Sequence, residues 1–140
     1  MPIRVPLSLA CGAYDRTAAL ARGDIRPEGV DLTFLAQPVE ETFFRMTRHQ
    51  EFDAAEMSLS SYLISLDQDV PFAAIPAFVS RAERYFAETG VFPVMQVVVL
   101  RREVYEQRPW LAQSLYKAFE QARREAAELF APETREAYVI

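Results

Sequence analysis

FDAAEMSLSSY, residues Phe52–Tyr62, passes without a break from an apolar run into small hydroxyl residues. The apolar part, Phe52 to Met57, reads as a short buried strand. The hydroxyl part starts a helix that runs from about Ser58 to Leu66. Ser58, Ser60 and Ser61 therefore stand at the carboxyl end of a strand and the amino end of a helix. Unpaired backbone N–H groups and the positive pole of a helix dipole favour anions at such a junction.

Working outward, Val5 to Ala10 reads as a first buried strand that ends at Cys11-Gly12. Asp15 is placed to cap a helix over Arg16 to Arg22, and Gly23 closes it. Arg26-Pro27-Glu28-Gly29 is a turn. Val30 to Leu35 alternates as a strand does, and Val39 to Arg48 is a helix with Phe43, Phe44 and Met46 as its buried stripe. Beyond the central junction, Val70 to Phe78 is apolar but holds Pro71 and Pro76, which confines it to a sheet edge. Val94 to Leu100, VMQVVVL, is the strongest strand of the chain. Pro109 then opens a long helix to about Glu128, with Leu111, Leu115, Phe119, Ala122 and Ala126 on one face. Trp110 is expected against the sheet edge, and Phe43, Phe44, Tyr116 and Phe119 in the core.

The order β-α-β-α-β in the first 60 residues implies right-handed crossovers and a mainly parallel sheet with helices on both faces. If the third strand lies beside the first, opposite the second, the strand order reverses there. Ligands bind above such a reversal. Gly12, Ala13, Tyr14 and Asp15 would then face Glu56, Ser58, Ser60 and Ser61.

A chain of 140 residues with 51% apolar composition supports a real core. Its net charge of −5 and scattered basic residues argue against a nucleic-acid partner. No apolar run approaches the ~18 residues that a membrane helix needs. The single Cys11 fits a reducing compartment. The opening MPIRVPLSLACGAY reads as a strand and not a signal segment, so a cytoplasmic location is expected. One His and one Cys suggest no metal site. His49, before the central strand, reads as a polar helix end, and Cys11 as a packed thiol.

Glu56, a carboxylate within an apolar strand, is the candidate acid; a salt bridge is its ordinary explanation. The three serines read equally as a ligand cradle or as helix capping. Asp15 serves as a second acid candidate, although capping of its own helix is the better reading. Tyr14 is a candidate ligand contact. Arg81, after the fourth strand, is the arginine best placed to hold a carboxylate.

Several segments carry a resemblance: LSLACGAYDRT, RPEGVDLTFL, FFRMTRHQEFDAAEMSLSSYL, PFAAIPAFVSRA, GVFPVMQVVVLRREVYEQRPWLAQSLYKAF and LFAPET. Together they resemble the 4,5-dihydroxyphthalate decarboxylase-like family. That resemblance implies a type 2 periplasmic-binding-protein-like fold of two α/β lobes about a cleft, which asks for a chain about twice as long. This sequence matches one lobe: residues 1–82, a connection over 83–93 where the second lobe is expected, and a returning strand, helix and tail over 94–140. The returning strand is expected antiparallel to its neighbours. Gln96 stands where the family pattern has His. The implied activity is cofactor-free decarboxylation of an aromatic dicarboxylate to protocatechuate. The residues available for that activity are those read above: Glu56 and Asp15 for catalysis, with Tyr14, Ser58, Ser60, Ser61 and Arg81 for binding. A solute-binding module of the same fold, holding a small anion without chemistry, is the alternative. With its partner lobe missing, the chain is expected to form a homodimer through Phe86, Val91 and Phe92.

Overall fold

The computed structural model describes residues 2–69, 71–77 and 96–129. Arg81, Phe86, Val91 and Phe92, the connection and the tail lie outside these residues. Among the described residues five strands form one sheet: β1 (Val5–Cys11), β2 (Val30–Ala36), β3 (Ala54–Ser58), β4 (Phe72–Ile75) and β5 (Gln96–Arg101). Their spatial order is β2-β1-β3-β5-β4. β1 pairs in parallel with both β2 and β3, while β5 runs antiparallel to β3 and β4. Among the described strands the reversal beside β1 is present, β4 is at an edge, and β5 is the one of opposite sense.

The helices are α1 (Ala18–Arg22), α2 (Val39–His49), α3 (Leu59–Leu66), α4 (Arg102–Gln107) and α5 (Trp110–Leu129). α4 was not expected from the sequence. Strand parity divides the core into two layers. Leu7, Leu9, Ala54, Val98 and Leu100 face Leu20 of α1 and Leu111, Leu115, Phe119 and Ala122 of α5. Ala10, Ala55, Met57, Val97 and Val99 face Met46 of α2, with Leu59 and Tyr62 of α3 packed against them. Helices thus cover both faces, and Val97 to Leu100 are buried because both sides of β5 are apolar.

Three local expectations are corrected. The segment after β1 begins as a 3-10 turn, Asp15–Thr17, with Tyr14 in the capping position. Asp15 sits inside the turn, where its Oδ1 accepts the Arg16 N–H at 2.8 Å. On α2 the buried pair is Thr42 and Met46, whereas Phe44 is 57% exposed and meets His49 edge-on. Tyr116 is also exposed at the surface of α5, while Phe119 is buried as expected. Trp110 is half-exposed but lies over Gly29, just before edge strand β2, where a methyl group would come within 3.1 Å of its ring.

At the end of the sheet away from the reversal, Asp53 binds three strands together. Its carboxylate accepts the backbone N–H and hydroxyl of Ser8 at 2.9 and 3.0 Å, and an Arg101 N–H at 2.8 Å. No helix among the described residues is long and apolar enough to cross a membrane.

Candidate functional site

β1 and β3 end side by side, and the chain leaves β1 through Gly12, Ala13 and Tyr14. The Glu56 side chain, one residue before the end of the apolar run of β3, lies on the same face as Ala54 and Val98. It is fully buried, and three donors from the end of β1 and the loop after it converge on it. The Gly12 N–H donates to Oε2 at 2.9 Å, the Cys11 thiol reaches the same oxygen at 3.5 Å, and the Tyr14 hydroxyl donates to Oε1 at 2.6 Å. A buried carboxylate is tolerated when donors satisfy it in this way.

The cluster also determines how its members ionise. Burial, reinforced by the neighbouring Glu56, pushes the Cys11 thiol well above its ordinary range. This is the packed, unreactive thiol that the apolar strand end suggested. Burial and the hydrogen bond to Glu56 likewise push the Tyr14 phenol strongly upward, so it keeps its proton at neutral pH.

Tyr14 reaches Glu56 by folding back over Gly12. A methyl group on Gly12 would stand 2.7 Å from Cζ of Tyr14 and 2.8 Å from its hydroxyl oxygen. The Gln96 side-chain oxygen of β5 lies 3.5 Å from the same hydroxyl. Gln96 is in turn the register partner of Ser58, so β5 brings it against both sides of the reversal.

The serines are arranged as a cap. Ser58 Oγ accepts the Ser61 N–H at 3.1 Å and donates to Ser61 Oγ at 2.7 Å, with Ser60 Oγ at 3.4 Å. Ser60 is exposed and Ser58 and Ser61 are half-buried. Asp15 is half-buried in the 3-10 turn that follows Tyr14. The structure therefore joins Tyr14 to Glu56 directly and places the serines on the adjacent junction. Arg81 lies outside the described residues. Gly12 and Gln96 are the members that sequence reasoning did not select as site residues. Their signals were the place of Gly12 in the loop expected to face Glu56, and at Gln96 a polar side chain in an apolar strand where the family pattern has His.

A groove of about 420 Å³ opens beside Tyr14, between the Gly12-Ala13 backbone and Gln37, Pro38 and Val39. A second, of about 440 Å³, runs along the outer edge of β4 between Tyr62, Arg102, Tyr105 and Tyr116. Only the first adjoins the buried carboxylate cluster. Among the described residues no group of three His, Cys, Asp or Glu side chains is placed to hold a metal ion.

No family model matches the chain. Over 83 residues, 59% of its length, it is 43% identical to the 4,5-dihydroxyphthalate decarboxylase of Comamonas testosteroni. It is 42% identical over 83 residues to the enzyme of the same name from Pseudomonas putida. Over this stretch the chain is similar to proteins of that name. The match spans 25% of the first relative and 32% of the second.

Proposed function

We propose that this chain forms one lobe of a type 2 periplasmic-binding-protein-like fold and serves decarboxylation of an aromatic dicarboxylate, 4,5-dihydroxyphthalate by analogy. The identity of 43% to a decarboxylase of that name carries this reading. The mixed sheet, with its reversal beside β1, supports it, and a groove of ligand size lies at the same end of β1, on its β2 side. The solute-binding alternative gains no support from the relatives.

The chemistry needs no oxidant or reductant. A ring hydroxyl para to the departing carboxylate pushes electron density into the ring. An acid then protonates the ring carbon that bears the carboxylate. The bond to the carboxylate breaks, its electron pair restores the aromatic ring, and carbon dioxide leaves with protocatechuate as product. The protein must orient the dianion and place one proton donor. Asp15, next to Tyr14 in the chain and half-buried, is the candidate proton donor. Glu56, fully buried, acts instead as a positioning residue that fixes Tyr14. Ser60, with Ser58 and Ser61 behind it, meets a carboxylate at the start of α3.

A single lobe leaves the ligand open to water on one side, where each charged contact contributes about 1 kcal/mol or less. Turnover by this chain alone is therefore expected to be slow, and self-association into a homodimer would cover the open side. Carbon dioxide release from 4,5-dihydroxyphthalate tests the reading. Slow release that Asp15→Asn abolishes is expected. Absence of release from the purified chain would overturn it.

A further inference from the structure

The parity of the antiparallel ladder decides what β4 shows to the outside. The Arg101 N–H donates to Asp53 O on the β3 side, whereas the N–H groups of Arg102 and Val98 donate the other way, to Pro71 O and Ala77 O. Ala73 is opposite Leu100 and Ala74 opposite Val99. Pro71 and Ala73 therefore turn their backbone polar groups to β5, and Phe72 and Ala74 turn theirs outward. β4 has no neighbour on that side among the described strands. The outward Phe72 O accepts an Arg102 Nη2 N–H at 3.2 Å, which sets the guanidinium at the start of this edge. Ala74, further along, is exposed.

The groove of about 440 Å³ lies on the same edge. Its walls come from both helix layers: Tyr62 of α3 stands on one side of the sheet, and Tyr105 of α4 and Tyr116 of α5 on the other. The slot is open in the plane of the sheet, where a further strand would continue it. Arg102 is the one charged residue in its lining, within a chain of net charge −5. Such a slot suits an occupant that is extended, apolar on both faces and negative at the end beside Phe72. We infer that it binds an extended apolar peptide as a further strand antiparallel to β4, with the peptide's C-terminal carboxylate at Arg102. A second copy of the chain fits less well. Its own rims would meet Tyr62 and Tyr116 before two β4 edges reached the ~4.8 Å of a ladder. The slot shares no residue with the site of the decarboxylase reading, so the two stand or fall separately.

Titration of the full chain, followed by NMR, tests the inference. The probes are acetyl-Ala-Val-Ala-Val as the free acid, the same peptide as its C-terminal amide, and decanoate. The free acid should shift the amides of Phe72–Ile75 and the rings of Tyr62, Tyr105 and Tyr116. The amide should bind about tenfold more weakly, the worth of one charge-assisted contact. Arg102→Leu should abolish that difference. Ala74→Pro removes the outward N–H without taking a bond from β5, and it should weaken acid and amide alike by about fivefold. No binding of the free acid at millimolar concentration, equal binding of acid and amide, or binding that Ala74→Pro leaves unchanged would overturn the inference. Decanoate bound as tightly as the free acid would overturn it in favour of a small-carboxylate site. A dimer in sedimentation that Ala74→Pro dissociates would overturn it in favour of an interface between copies.

Discussion

Gly12 is the seat of Tyr14: the phenol ring occupies the space that any side chain at Gly12 would fill, with Cζ 2.7 Å from the position of a methyl group. The backbone of Gly12 and the hydroxyl of Tyr14 reach opposite oxygens of the same carboxylate. A loop without secondary structure is thereby tied to the strand beside it.

Gly12→Ala should therefore expel the Tyr14 ring while leaving the Gly12 N–H bond in place. Glu56 loses one donor, and the expected cost is about 1–2 kcal/mol of unfolding free energy. Tyrosine fluorescence or the Tyr14 ring signals in NMR would report the movement. Unchanged ring signals would show that the backbone had yielded instead.

Glu56→Gln conserves shape but turns one acceptor oxygen into an amide donor. One of the Gly12, Tyr14 and Cys11 donors must then face another donor in a dry site. A loss of about 1–3 kcal/mol in chemical denaturation is expected. Glu56→Asp should be no better, since its shorter chain cannot reach the hydroxyl. A neutral result for Glu56→Gln would mean that water enters the cluster.

Asp53 makes acid stability measurable. Burial alone would raise its pKa, but the Ser8 N–H and hydroxyl and the Arg101 guanidinium outweigh burial and hold the carboxyl below the ordinary range. Folding thus favours its ionised form. The resulting stabilisation is complete above the unfolded-state pKa of about 3.9 and is lost as pH falls through the lower, folded-state value. Asp53→Asn should lower stability at pH 7 and flatten its decline on the acid side. Parallel wild-type and variant curves between pH 5 and 2 would contradict this.

Hydrogen exchange should rank the amides of Val97 to Leu100 among the slowest of the chain. β5 is bonded on both sides and covered on both faces. Exchange there as fast as in the exposed Leu63–Leu66 turn of α3 would be inconsistent with the sheet.

The strands were legible because their burial is written as unbroken apolar runs, whereas the strand order was open in the sequence, which named the reversal beside β1 only as a condition. The face of α2 was not. Phe43, Phe44 and Met46 are apolar but do not share one side of a helix, while Thr42 and Met46 are four residues apart and do. Tertiary packing chose Thr42 with Met46 over the bulkier rings. The crevice residues were legible as a neighbourhood, yet the role of Glu56 was not. Its donors come from residues 42 to 45 positions earlier, and no local spacing encodes that reach. Gln96 met Tyr14 through a still longer separation, 82 residues.

Because β5 lies between β3 and β4, the order of synthesis and the order of pairing disagree. Among the described strands, β4 has no neighbour except β5, and β3 keeps an open edge until β5 arrives. A ribosome that has released only the first 75 residues of this chain holds a sheet of three strands with an unpaired flank and a fourth strand with nowhere to bind. Such flanks recruit other chains. The nascent protein is thus most vulnerable to aggregation just before Gln96 to Arg101 emerge, and β5, the last of the described strands, is the one that seals it.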